Sequence, residues 1–240
     1  MKIMKILLIS YGIILFVLLT SCAETTAPDA ESIVRIRSEM FQGMIQSINI
    51  DKKNPLFQKS VVDSVKISKL RILISEIKFH SDNEVNEENN KLFKTGPFLL
   101  IGDSTGGYFD VAVGNLPAGD FNSLKFELHR FSVNELSTYQ NDITFNEFAT
   151  EERYSVILEG TAFKYGNPFP FTYKSSSTAN LTFKFEPSLQ LRKDVPLDIY
   201  LQINPINLMK IGNSILDPRD PENASDIDYL IQTALKAIKK

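Results

Sequence analysis

The chain holds one cysteine, two histidines and no tryptophan among its 240 residues. Each scarcity excludes a class of chemistry. A lone cysteine, Cys22, closes no intramolecular disulfide, and once it is engaged no thiolate is left for a metal centre. Two histidines, His80 and His129, are too few for a zinc or copper site without further ligands, and only methionine sulfur is left to join them. Without tryptophan, a sugar-stacking platform would have to come from tyrosines such as Tyr108, Tyr165 and Tyr173. Positive charge is also short. The 26 basic residues are outnumbered by 29 acidic ones, which speaks against nucleic acid as a partner, because a phosphate backbone needs a basic face.

Long apolar runs are scarce too, with one exception. Ile6 to Thr20 is apolar apart from Ser10, Tyr11 and Gly12, and Lys2 and Lys5 precede it. The run is short for a bilayer span, which needs about 20 apolar residues, and it has the form of a signal-peptide core. It ends in Leu19-Thr20-Ser21-Cys22, which resembles the bacterial lipobox: an aliphatic residue, two small residues, then cysteine. The expectation is cleavage between Ser21 and Cys22 and acylation of Cys22, with the protein anchored in the lipid bilayer through that residue. Each buried methylene contributes about 0.8 kcal/mol, so two or three acyl chains hold a protein on a membrane durably. Ala23 follows the cysteine where an aspartate would favour inner-membrane retention, so the expected location is the outer membrane, facing the periplasm or the surface. Removing residues 1–21 takes away Lys2 and Lys5 and no acid. It leaves 24 of the 26 basic residues against 29 acids, a net charge of −5.

The domain plan is then a signal peptide over 1–21, a lipidated cysteine with a small, polar, acidic tether over 22–32, and one β-sandwich domain over 33–240. A first strand is predicted near 40–50, and Asp51 to Pro55 is a turn-rich break. Val65 to His80 is the strongest β signal. Leu70, Ile72 and Ile74 share one phase while Ile77 and Phe79 take the opposite one, which predicts a β-bulge around Ser75-Glu76. Further strands are predicted over Leu92–Ile101, Tyr108–Val113, Ser123–Phe131, Tyr154–Tyr165 and Phe169–Lys174, around Leu181–Phe185, and over Leu197–Ile203. Residues 134–152 are polar and poorly patterned, and no element is predicted there.

Asn204-Pro205 looks like the start of a short helix over 205–211, stopped by Gly212. Ile227, Leu230, Ile231, Ala234, Leu235 and Ile238 predict a closing amphipathic helix, with Ser225 and Asp228 as its capping box and Lys236, Lys239 and Lys240 at its negative end. The fold class is all-β, an antiparallel β-sandwich of prealbumin or immunoglobulin-like form with a short helix and a C-terminal helix.

Three stretches carry a resemblance: Ile67-Ser68-Lys69-Leu70 through Ser75-Glu76-Ile77-Lys78-Phe79-His80; Leu116-Pro117-Ala118-Gly119-Asp120-Phe121 into Leu124–Leu128; and Leu216-Asp217-Pro218-Arg219-Asp220-Pro221-Glu222-Asn223. Together they resemble an uncharacterised family of bacterial envelope lipoproteins with a prealbumin-like sandwich domain of unknown function. The resemblance spans roughly residues 60–240 and implies fold and location, not an activity.

Candidate chemistry is thin. Gly102-Asp103-Ser104-Thr105-Gly106 fits G-x-S-x-G, but a nucleophile elbow needs a helix after the serine, and Tyr108-Phe109-Asp110-Val111 reads as strand. Asp217, Asp220, Glu222, Asp226 and Asp228 crowd one segment, yet Glu222 stands where a calcium loop of the EF-hand type needs glycine. Asp63-Ser64-Val65 and Asp103-Ser104-Thr105 fit a short O-glycosylation pattern at Ser64 and Ser104. No catalytic residues, cofactor or metal ligands are assigned. The expected function is a non-catalytic binding or structural module of the cell envelope with an envelope protein or glycan as partner. A calcium- or carbohydrate-binding protein is the alternative, and a serine hydrolase a remote one.

Overall fold

The computed structural model describes residues 31–41, 44–46, 60–81 and 90–239. The chain enters through β1 (Glu31–Met40), followed by the short β2 (Met44–Gln46) and β3 (Val61–Val62) and the long β4 (Ser64–His80). Next come β5 (Asn90–Lys94), β6 (Phe98–Asp103), β7 (Tyr108–Pro117) and β8 (Gly119–Leu128), then α1 (Val133–Tyr139). The second half runs through β9 (Val156–Lys164), β10 (Asn167–Ser175), β11 (Ala179–Leu191), β12 (Leu197–Ile203), α2 (Ile206–Met209), β13 (Lys210–Ile211) and β14 (Ser214–Leu216). A 3-10 turn (Pro221–Asn223), α3 (Ala224–Thr233) and β15 (Leu235–Lys239) close it. None of the described helices is long and apolar enough to cross a membrane.

The architecture is a β-sandwich. One sheet has the order β15-β12-β1-β7; the other has β10-β9-β4-β8-β11, with β2, β5 and β6 also on β4; β13, β14 and β3 form a small third sheet. Pairing is antiparallel except between β1 and β12, which run parallel. Val34 and Ile36 of β1 and Ile199 and Leu201 of β12 share one core with Leu70, Ile72, Leu124 and Leu158 of the facing sheet.

β4 organises the larger sheet. The bulge predicted at Ser75-Glu76 is present: the β4–β8 register shifts between Ile74 and Ile77, so Leu70, Ile72, Ile74, Ile77 and Phe79 all reach the core. At Leu73 this edge of β4 passes from β9 to β8. The Leu73 amide donates to the Ser155 carbonyl at 2.8 Å, and the His129 amide donates to the Leu73 carbonyl at 2.8 Å. Between these two points the chain makes an excursion over the outside of the sheet.

That excursion takes in residues 134–152, for which the sequence predicts no element. It contains α1, whose capping box pairs Ser132 and Glu135, and it buries Phe131, Phe148 and Ala149 against Leu73 and Ile157 in a second core. Arg71 fastens it, bonded to Glu147 of the excursion and, at 2.8 Å, to Glu159 of β9.

Other corrections concern boundaries. The first strand is β1, which begins at Glu31 inside the predicted tether; Ser32 is buried and its hydroxyl donates to the Val195 carbonyl at 2.5 Å. Only 44–46 of the predicted 40–50 strand lies in a further described strand. Leu92–Ile101 is two strands, divided at Gly96-Pro97. Proline has no amide to donate, and a Cβ at Gly96 would stand 2.5 Å from the Ser75 carbonyl oxygen. The helix predicted over 205–211 covers Ile206–Met209 only, because Lys210–Ile211 pairs with β14. The closing helix stops at Thr233; Leu235–Lys239 instead pairs antiparallel with β12, so Lys236 and Lys239 lie on a strand. The Ser225–Asp228 capping box does not form. The 3-10 turn starts the helical run earlier, with Asn223 at the cap, and Asp228 accepts a hydrogen bond from the Tyr173 hydroxyl at 2.6 Å.

Candidate binding face on the four-stranded sheet

Strand alternation sends one side chain in two to the core and the other outward. On β1 the inward set is Val34, Ile36, Ser38 and Met40; the outward set is Glu31, Ile33, Arg35, Arg37 and Glu39. The registers of β7, β12 and β15 place outward residues beside these in rows. Tyr108, Glu39, Gln202 and Lys236 make one row. Asp110, Arg37, Tyr200 and Ile238 make the next, and Val113, Arg35 and Asp198 a third.

Arg37 sits at the centre. Its Nε donates to Asp110 at 2.8 Å, and one terminal nitrogen donates to Asp198 at 2.9 Å and to the Tyr200 hydroxyl at 3.3 Å. Its guanidinium lies 4.5 Å from the centre of the Tyr108 ring, which meets Tyr200 edge-on at 6.2 Å. Arg35 donates to the other Asp198 oxygen at 2.5 Å, and Gln202 to Glu39 at 2.5 Å. The bonds to Tyr200 and Asp110 hold the Arg37 proton more firmly than usual. A guanidinium locked this way presents a fixed planar surface, since its rotamers are already restricted.

Among these charges the face also exposes apolar and aromatic side chains. Tyr108 is 57% exposed, Ile33 and Phe41 48%, and Val113 46%. A solvated outer face of an antiparallel sheet is ordinarily polar. Exposed tyrosine and aliphatic side chains around a pre-set arginine are the composition of recognition surfaces. The outward residues of the three rows include no serine, cysteine or histidine. Charge pairing and contact area are what they offer.

The residues singled out from sequence fall elsewhere. Ser21 and Cys22 lie outside the described residues. Ser104 is exposed in the turn between β6 and β7, its amide donating to the Ser68 carbonyl at 3.0 Å, and strand follows it as expected. Ser64 opens β4. The two histidines are both half-buried. His129 lies 3.6 Å from Glu135 and edge-on to Phe131. The acidic segment is engaged internally. Arg219 grips both oxygens of Asp217 at 2.8 and 2.7 Å while stacking 4.4 Å above Phe169, and Asp220 accepts from the Glu222 amide. Burial works against ionising Asp217, but its bonds to Arg219 keep it below the ordinary carboxylate range. Among the described residues no three histidine, cysteine, aspartate or glutamate side chains gather as a metal site would require. The three tyrosines are dispersed: Tyr108 is on the Arg37 face, Tyr165 is 82% exposed at the β9–β10 turn, and Tyr173 is buried.

The Arg37 face was not legible as a site. Its one trace in sequence is arginine at 35 and 37, on the polar phase of a strand that also sends Ile33 outward.

No family model matches the chain, and no curated protein sequence matches it. Among solved structures it is similar to MbnP from Methylosinus trichosporium, at 10% sequence identity over 80% of this chain and 86% of that one, with a TM-score of 0.45.

Proposed function

We propose that this protein is a lipid-anchored protein of the bacterial outer membrane, held through Cys22, and that its sandwich is a non-catalytic binding module presenting the Arg37 face to an envelope partner. One observation carries the anchoring: the only cysteine in the chain stands at the end of its only long apolar run, behind Leu19-Thr20-Ser21. The Arg37 face supports the binding half, because its exposed apolar and aromatic side chains surround charges that are already paired and positioned.

The test is mass spectrometry of the N-terminal peptide from protein made in its native host. The expected product begins at Cys22 and carries a diacylglyceryl thioether, and Cys22→Ala moves the protein out of the membrane fraction. An unmodified Cys22 sinks the anchoring. For the face, a photo-crosslinking residue at Tyr108 in the lipidated protein should give a discrete adduct that the same residue at exposed Thr172 does not. Identical patterns at both positions would remove the binding assignment.

A further inference from the structure

The outer face of the eight-stranded sheet sets lysine against lysine. Lys78 of β4 is paired with Lys125 of β8, and Lys125 with Thr182 of β11. In the neighbouring row His80 faces Ser123, and Ser123 faces Lys184. Like charges directly opposite each other on a sheet repel. Lys78 is offset by an ion pair with Glu76. Lys125 and Lys184 have no ion pair among the described residues. The nearby Glu127 carboxylate already accepts a hydrogen bond from the Ser75 hydroxyl at 2.9 Å.

Two open cavities flank these lysines. One, of ≈ 380 Å³, is lined by Lys78, Lys125, Asn180 and Thr182 together with Glu76 and Glu127. The other, of ≈ 430 Å³, is lined by Lys184 with Ser123, Glu186 and Pro187. Lys78 and Lys125, directly opposed, stand about 5 Å apart, and Lys184, diagonal to Lys125, about 7–8 Å from it, within reach of long side chains, so the three ammonium groups can converge on one small anion. Lysine serves phosphate as a compact point charge with several donors. The Thr182 hydroxyl and the Asn180 amide add neutral donors beside it. The chain is acidic overall, with a formal net charge of −3. The overall field therefore repels an anion, and attraction here has to come from local contacts.

We propose that Lys78, Lys125, Lys184 and Thr182 form a binding site for a phosphate ester, supplied by a phosphorylated sugar or by a phospholipid headgroup. The site is on the opposite sheet from the Arg37 face and stands independently of acylation at Cys22.

Titration calorimetry of the full chain tests it, with inorganic phosphate against chloride at matched ionic strength. Saturable phosphate binding is expected. Lys125→Gln and Lys184→Gln should each weaken it about tenfold or more, Lys125→Arg should keep most of it, and Lys193→Gln should leave it unchanged. Circular dichroism checks that each variant is folded. Glucose 6-phosphate and water-soluble dihexanoyl phosphatidic acid separate the two sources. A response to either that is lost in Lys125→Gln supports the site and names the source. No binding of any of the three probes, or equal losses in Lys125→Gln and Lys193→Gln, overturns it.

Discussion

Phe148→Ala is the sharpest perturbation of this fold. Phe148 is fully buried, yet it belongs to the second core and not to the one between the sheets. Its partners are Leu73 and Ile157 beneath, and Phe131 and Ala149 within the excursion. Truncating a buried phenylalanine costs about 3–5 kcal/mol, a large share of the roughly 5–15 kcal/mol that holds a domain together. The excursion departs and returns at Leu73, so most of that loss falls on its own docking. Every 1.4 kcal/mol is tenfold in an opening equilibrium, so the excursion's amides should exchange up to about 10²- to 4 × 10³-fold faster. Native-state hydrogen exchange read by mass spectrometry resolves this. The Phe148 and Ala149 amides, both bonded to the Phe145 carbonyl, should lose protection while Val34 and Ile36 of β1 keep theirs. Equal acceleration of β1 would show that the excursion is not a separate layer. Unchanged exchange at 148 and 149 would show that Phe148 does not dock it.

Two further outcomes follow from single side-chain contacts. The Arg71 hydrogen bond and charge hold the Glu147 carboxyl below the ordinary glutamate range. A lowered folded pKa gives stability that is complete above the unfolded value of about 4.3 and is lost as pH falls through the folded one. Glu147→Gln should therefore cost about 0.5–1 kcal/mol at neutral pH, the pair being half-exposed, and the gap to wild type in urea midpoint should close towards pH 3; a gap constant down to pH 3 would refute the assignment. Tyr173→Phe removes the hydroxyl that reaches Asp228 and the Ala224 carbonyl and should cost about 1–2 kcal/mol, read as a lowered Tm. Burial first, and the Asp228 bond second, push the Tyr173 hydroxyl well above the ordinary range, so the stability it lends is intact below pH about 10 and fades as pH rises. A wild-type phenol absorbance in which every tyrosine ionises before unfolding would contradict it.

Period-two patterning made much of the sheet readable, because a half-buried strand writes its inward face into every second residue. Lys125 and Glu127 between Leu124, Phe126 and Leu128 are such a record, and so is the phase change at Ser75-Glu76. The excursion escaped because its apolar residues, Phe131, Phe148 and Ala149, are spread through polar sequence and keep no period. The clue lay on the strands beneath it. Ile72-Leu73-Ile74 and Val156-Ile157-Leu158 are buried without alternation, as strands covered on both faces must be. Ser132 and Glu135, three apart, were a capping box in plain sight.

What the residues settle unaided is local: strand phases, the bulge, the turns at glycine and proline, and the lone cysteine behind an apolar run. What only the packed chain decides is pairing between distant segments. Helical spacing runs on through Ile238, yet the last residues become β15 because β12 offers an open edge whose amides and carbonyls need partners. Likewise, Arg37 gathers Asp110, Asp198 and Tyr108 from two other strands. No spacing within one segment encodes such a meeting, since it depends on which strands lie side by side and in what register.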